Sequence, residues 1–196
     1  MSGASRDISH THAPLTQLEK DFNQALLNVD FDSMELLLAE GANIDQATKD
    51  GFTALRIAIV FGKNEHAERF LAKGAKPDQA DQYGNTPLHT AAIYKRLTAT
   101  QKLLEAGATP RVKNSSGFSP LRILVLKKQE DISMTRRITM MEALLSARAN
   151  PDDRYKTDYT YRYGYRMPQE GYAPEASHTP LFYAATYGLS EVVRTL

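Results

Sequence analysis

Glycines recur along this chain at an interval of 33 residues. One series consists of Gly41, Gly74 and Gly107, and the second consists of Gly51, Gly84 and Gly117. An apolar run precedes each glycine of the first series, and a Thr or Ser follows each glycine of the second series two residues later. A fixed period of this length indicates a solenoid, in which each unit packs mainly against its neighbours.

Each unit is predicted to contain two helices and a projecting polar turn. Thr86 and Pro87 favour a helix start, because the hydroxyl caps free N–H groups and proline at the first helical position has no N–H to lose. The first helix is expected to break at Gly62 in one unit and at 95–96 in the next. A glycine suited to a left-handed C-cap then ends the second helix. The second helices are predicted over residues 66–73 and 98–106.

Residues 84–92 read Gly-Asn-Thr-Pro-Leu-His-Thr-Ala-Ala. They match the pattern Gly-x-Thr-Pro-Leu-His-x-Ala-Ala, and over most of its length the chain resembles the ankyrin-repeat family. The resemblance implies an all-α helix-turn-helix solenoid with projecting β-hairpin fingers that acts as a non-catalytic protein-binding module. It also implies that His89 forms hydrogen bonds between neighbouring units. The pattern is degraded at 53–56 and 179–182.

The period divides the sequence into units. Residues 1–14 are expected to form a flexible tail, followed by an ankyrin-type region over 15–196. Its parts are a cap (about 15–47), repeats (about 48–80, 81–113 and 114–153), an inserted finger (about 152–173) and a partial repeat (174–196). The repeat at 114–153 has gained 8 residues around 127–137, and the inserted finger has gained 19. Residues 191–196 begin a second helix without its usual ending, so we expect a longer parent protein.

An exposed ladder of aromatic residues is predicted on the concave face, where it would bind a partner protein, because aromatic anchors dominate interface energies. The alignment places Phe61, Tyr94, Lys127 and Tyr187 at the end of the first helix, and Phe52 and Phe118 at one finger position with Tyr83 beside it. The alternative is that Phe61 and Phe118 fold back onto the adjacent repeat.

The inserted finger carries tyrosine at alternate positions, which is typical of a strand. The tyrosines are Tyr155, Tyr159, Tyr161, Tyr163 and Tyr165, and Arg162 and Arg166 lie on the other face. Tyrosine offers a large contact area, and arginine pairs with carboxylates or phosphates. The segment is therefore interpreted as a second protein-binding element. The alternative is a long loop that packs its tyrosines on the solenoid and binds nothing.

The charge is unevenly distributed although the formal net charge is +1. Residues 1–90 hold 8 basic and 13 acidic side chains, whereas 91–166 hold 15 basic and 7 acidic. This asymmetry favours a partner with an acidic surface. Nucleic-acid binding through 91–166 is the weaker alternative, because no nucleic-acid-binding motif accompanies the basic residues.

Catalysis and metal binding lack a motif in the sequence. With no cysteine and no pair of histidines at ligand spacing, we expect no catalytic residue, metal or cofactor and no small-molecule substrate. No apolar run is long enough to span a membrane, so a cytoplasmic monomer is expected. Two alternatives stay open. The chain is the substrate-recruiting part of an enzyme whose catalytic domain lies beyond Leu196, or it is part of a bacterial effector acting in the host cytosol or nucleus.

Overall fold

The computed structural model describes residues 15–126 and 134–151. These ranges contain eight helices: α1 (Gln17–Asn28), α2 (Phe31–Ala39), α3 (Ala54–Val60), α4 (Asn64–Ala72), α5 (Pro87–Ile93), α6 (Leu97–Glu105), α7 (Pro120–Leu126) and α8 (Met134–Ser146). No strand occurs in the described ranges, so the hairpin strands expected at the fingers are not confirmed there.

The helices stack in two layers. Each odd-numbered helix packs against the even-numbered helix that follows it. Among the first helices of the units, α5 contacts both α3 and α7, and among the second helices, α6 contacts both α4 and α8. We call α3, α5 and α7 the inner helices and α4, α6 and α8 the outer helices. This arrangement confirms the all-α solenoid predicted from the glycine period.

The helix starts follow the predicted capping chemistry. Thr53 accepts a hydrogen bond from the backbone N–H of Arg56, and Thr86 precedes Pro87 at the first position of α5. In the cap, Thr16 and Glu19 form a reciprocal capping box, and Asp30 caps α2. The side chains of Thr16, Asp30 and Thr53 each satisfy an N–H that has no partner within its helix.

Helices of both layers end in the same way. The backbone N–H of Lys63 donates to the carbonyl of Ala58 at 2.8 Å, and that of Ala108 donates to the carbonyl of Leu103 at 2.9 Å. This bond closes a Schellman motif, which requires a left-handed residue just before the donor. The left-handed residue is Gly62 at the end of α3, whereas it is Lys95 at the end of α5. The breaks predicted at these two places are confirmed.

The fourth unit differs at its second helix. Here α8 has 13 residues, whereas α2, α4 and α6 have nine. Arg148, with φ of 66°, occupies the left-handed position that Gly107 occupies in the preceding unit. Counting back from Arg148, residues 134–137 add one turn to the start of α8. Part of the 8-residue insertion is therefore helix, and residues 127–133 lie outside the described residues.

The core is built from small and branched apolar residues at the repeat period. Leu55, Leu88 and Leu121, each 33 residues apart, are fully buried. Ala91 and Ala92 are buried as well, so neighbouring inner helices approach each other closely. At the C-terminal ends of α3 and α5, beyond this buried stretch, the C-cap residues are the aromatic Phe61 and Tyr94.

Candidate protein-binding surface

Each finger is a tight turn that is closed by its own backbone. In the first finger the N–H of Thr48 donates to the carbonyl of Phe52 at 3.0 Å, and in the second the N–H of Asp81 donates to the carbonyl of Asn85 at 3.0 Å. The third finger repeats this bond between Asn114 and Phe118. These turns hold the finger residues in fixed positions before any partner arrives.

The side chain that starts each finger also braces it. Thr48 Oγ1, Asp81 Oδ1 and Asn114 Oδ1 accept the N–H four residues later, at 3.2, 2.8 and 3.0 Å respectively. Such side-chain-to-backbone bonds stabilise a turn without a strand partner. The fingers are therefore rigid without forming a β-ladder.

Neighbouring fingers are linked directly. The backbone N–H of Ser115 donates to the carbonyl of Tyr83 at 2.9 Å, and the amide of Asn114 donates to Asn85 Oδ1 at 2.8 Å. Gly51 lies so close to the next finger that an added Cβ would be 2.8 Å from the Cα of Asp81. The finger row thus has little freedom to open between repeats.

His89 links its own helix start to the next finger. Its Nδ1 accepts the backbone N–H of Thr86 at 3.0 Å, so Nε2 carries the proton and donates to the carbonyl of Phe118 at 2.9 Å. Burial lowers the pKa of His89 to about 4, and the charge of Arg56 acts in the same direction. The hydrogen-bonding role implied by the family resemblance is confirmed.

Arg56 occupies the corresponding position in the preceding unit. Its Nη1 donates to the carbonyl of Asn85 at 2.8 Å, and its Nη2 donates to Asp81 Oδ2 at 2.6 Å. Both side chains of this ion pair are about 5% exposed. Burial lowers the pKa of Arg56, while the Asp81 carboxylate and, less strongly, Tyr94 raise it.

The aromatic residues predicted to bind a partner are unequally exposed. Phe61 and Tyr94 are 55% and 47% exposed, and Phe52 and Tyr83 are each 37% exposed. Phe118 instead packs partly against the core, as the alternative interpretation expects for that residue. The remaining predicted residues lie outside the described residues: Lys127, Tyr155, Tyr159, Tyr161, Arg162, Tyr163, Tyr165, Arg166 and Tyr187.

One of the exposed aromatic residues packs against Arg56. The guanidinium carbon of Arg56 lies 5.2 Å from the ring centroid of Phe52, which is a cation–π distance. Tyr94 in the next repeat is near enough to affect the pKa of the same guanidinium. Phe52 thus packs on the side chain that links its own repeat to the next finger.

Phe61 and Tyr94 are joined by a second arginine. Arg96 donates from Nε to the carbonyl of Ile59 at 3.2 Å and from Nη2 to the carbonyl of Val60 at 2.7 Å. These carbonyls lie at the end of α3, immediately before Phe61, and Arg96 itself follows Tyr94 by two residues. A cation at a helix C-terminus is favourable, so the contact stabilises α3 and holds the two turns together.

The outer helices carry their charges in pairs between repeats. Glu35 contacts His66 at 2.8 Å and Arg69 at 2.9 Å, and Lys102 contacts Glu68 at 3.0 Å. Several basic residues of 91–166 form contacts within the fold. Lys102 pairs with Glu68, whereas Arg96 and Arg111 donate to the backbone carbonyls of Ile59 and Arg148. This internal use leaves fewer of them for phosphate groups.

Sequence reasoning missed several features of this surface. The Arg56–Asp81 pair has a signal, since Arg56 precedes His89 by one period, but no rule of spacing identifies the clamp formed by Arg96. Leu27 and Leu36 are exposed large apolar residues that were not predicted as contacts. In the described part of the chain, no group of three potential metal ligands occurs, and no helix is long and apolar enough to cross a membrane.

Comparison with known proteins supports one assignment. The family model described as Ankyrin repeats (3 copies) matches residues 22–114. The matched range contains Phe52, Phe61, Tyr83 and Tyr94. A comparison with curated proteins found no match.

Proposed function

Because residues 22–114 belong to the ankyrin-repeat family, we propose that this chain is a non-catalytic module that binds a partner protein through a concave aromatic face. Ankyrin repeats generally mediate protein–protein interaction. The aromatic face consists of Phe52, Phe61, Tyr83 and Tyr94. The observation that carries the proposal is the exposure of these four side chains on turns whose backbone is already fixed.

Rigid turns favour binding for an energetic reason. Ordering a side chain or loop at an interface costs about 0.5–1.5 kcal/mol for each flexible group. The fingers bearing Phe52 and Tyr83 are closed by backbone bonds, and Arg96 holds the turns bearing Phe61 and Tyr94. Because folding has already ordered these turns, a partner that contacts the rings loses less free energy to ordering them on binding.

The partner is proposed to present an acidic surface. The excess of basic residues over 91–166 supports this charge preference. The Tyr/Arg-rich insertion, with Tyr155, Tyr159, Tyr161, Arg162, Tyr163, Tyr165 and Arg166, is proposed from its sequence pattern as a second contact, together with Lys127 and Tyr187.

A site-specific cross-linking experiment tests the proposal. A photo-reactive phenylalanine analogue is placed at Tyr94 in one sample of the full chain and at the exposed Leu36 of α2 in another. We expect a cross-linked protein from Tyr94 and none from Leu36, and mass spectrometry identifies it. The purified partner is then titrated against Phe61→Ala and Tyr94→Ala variants, which should weaken binding about tenfold or more each if these rings are anchors. Equal cross-linking from Leu36, or unchanged affinity in both variants, would contradict the aromatic face.

A further inference from the structure

We propose that Phe61, Lys63, Tyr94 and Lys95 form a docking site for an acidic, extended segment of a partner protein. We call these four residues the rim. The segment carries two apolar side chains three residues apart, with carboxylates between and around them. This inference rests on the proposed function and specifies which part of the aromatic face selects the partner and by what chemistry.

The two rings of the rim stand at equivalent places in adjacent repeats. Phe61 is the C-cap of α3, and Tyr94 is the C-cap of α5. The two inner helices contact each other, and packed helices lie about 8–10 Å apart. Arg96 joins the two turns through the carbonyls of Ile59 and Val60, so this separation is held fixed.

An extended segment matches that separation. In a polyproline II conformation, residues rise about 3.1 Å each with three residues per turn, so side chains at i and i+3 share one face about 9 Å apart. Side chains at i and i+1 point in different directions and span less than half that distance. The rim therefore selects a segment by the distance between its two apolar side chains as well as by their apolar character.

The charge of the rim specifies carboxylates. Lys63 is exposed and Lys95 is half-buried, and neither forms an ion pair with any carboxylate in the described part of the chain. No Asp or Glu occurs at 61–64 or 94–98. On the outer helices, by contrast, Lys102 and Arg69 are paired with glutamates. The rim therefore presents uncompensated positive charge beside exposed rings.

The backbone of Lys95 supports a role for its side chain. Lys95 has φ of 57°, and the residue at the same position in the preceding unit is Gly62, with φ of 67°. A residue with a Cβ is disfavoured in this left-handed region, whereas glycine is not. The chain thus places a lysine where glycine would be less strained, directly after Tyr94 of the rim.

Synthetic peptides supply the first arm of the test. The full chain is titrated into a fluorescein-labelled peptide with the core Glu-Phe-Glu-Glu-Phe-Glu and uncharged flanks. We expect saturable binding by fluorescence anisotropy. Two control peptides should bind at least about tenfold more weakly: one has adjacent phenylalanines and the same composition, and the other has Gln in place of every Glu. Raising the salt from about 50 mM to about 300 mM should also weaken binding, because exposed charges are screened.

Variants of the chain supply the second arm. The double variant Lys63→Glu/Lys95→Glu should lose about tenfold or more in affinity for the acidic peptide. The matched charge control is Lys20→Glu/Lys73→Glu, at exposed lysines on α1 and at the end of α4, which should change affinity less than about twofold. Lys95→Gly should weaken peptide binding without lowering the melting temperature. A purely structural role for Lys95 predicts the opposite, namely unchanged binding.

Several results would overturn the rim. These are no binding of the acidic peptide, binding of either control peptide as tight as that of the acidic peptide, unchanged affinity after the double charge reversal, or tighter binding of an oligodeoxythymidine than of the acidic peptide. Affinity measurements with the cross-linked partner distinguish failure of the rim from failure of the aromatic face. If Phe61→Ala and Tyr94→Ala weaken the binding of that partner but the charge reversals do not, the proposed docking site is wrong while the proposed function stands.

Discussion

The carboxylate of Asp81 accepts a 2.6 Å hydrogen bond from the guanidinium of Arg56 in the preceding repeat. The pair is almost completely buried, and Asp81 also accepts the backbone N–H groups of Tyr83 and Asn85. One carboxylate therefore stabilises the turn of its own finger and also binds the arginine of helix α3 in the previous unit. In the next unit the same connection is made by the neutral His89 to the carbonyl of Phe118.

Removing one partner of this buried pair is expected to destabilise the fold strongly. In Asp81→Ala the guanidinium of Arg56 keeps its charge but loses its counter-ion, so the free energy of unfolding should fall by about 3–5 kcal/mol. Urea denaturation followed by circular dichroism measures this change. The double variant Arg56→Met/Asp81→Ala should be more stable than Asp81→Ala alone. Lys102→Ala, which breaks an exposed pair, should cost less than about 1 kcal/mol.

The stability of the chain should depend on pH through His89. Its pKa is about 4 in the folded chain and 6.5 for the unperturbed group, so the unfolded chain binds more protons between these values. The free energy of unfolding therefore rises as the pH increases from about 4 to 6.5, by roughly 3 kcal/mol, and this contribution is constant above that window. Urea titrations at several pH values measure the slope. Subtracting the profile of His89→Gln isolates it, and an identical slope in the variant would contradict the assignment.

Much of the fold follows from local sequence rules, and the exceptions have physical causes. The helix starts at Thr53 and Thr86 and the break at Gly62 are predictable because capping and left-handed turns need particular residue types. The left-handed Arg148 is not predictable in this way, because a residue with a Cβ is disfavoured in that region. The extra turn of α8 follows neither from period nor from composition, since an insertion can extend a helix or a loop.

The candidate surface was predicted less completely than the fold. A period of 33 places Phe52 and Phe118 at the same finger position, yet Phe118 packs partly on the core while Phe52 lies against Arg56. Periodicity identifies equivalent backbone positions, whereas exposure depends on the side chains that surround each of them. The clamp formed by Arg96 depends on contacts between residues more than 30 apart, which no local pattern encodes.

A side chain at Gly62 is expected to destabilise the chain. It has φ of 67°, and an added Cβ would lie 2.9 Å from Nη1 and 3.0 Å from Cζ of Arg96. Gly62→Ala should therefore cost more than the roughly 1–2 kcal/mol of left-handed strain alone, because it also displaces the clamp. Gly74→Ala is the matched control, since Gly74 has φ of 90° and no atom within 4 Å of its added Cβ. Equal losses for the two variants in urea denaturation would show that Arg96 adjusts freely.

Arg148 is expected to be a site where glycine stabilises the chain. It adopts φ of 66° at the end of α8, where its N–H donates to the carbonyl of Leu145 at 2.8 Å. Arg148→Gly keeps this backbone bond and relieves left-handed strain, so the free energy of unfolding should rise by up to about 1 kcal/mol. Ala147→Gly, one residue earlier, has no such strain to relieve and should instead lower it by up to about 1 kcal/mol. Urea denaturation measures both changes in the free energy of unfolding. Opposite signs for the two adjacent substitutions would distinguish a conformational effect at residue 148 from a general effect of glycine. A loss of stability in Arg148→Gly would mean that the arginine side chain contributes more than its backbone strain costs.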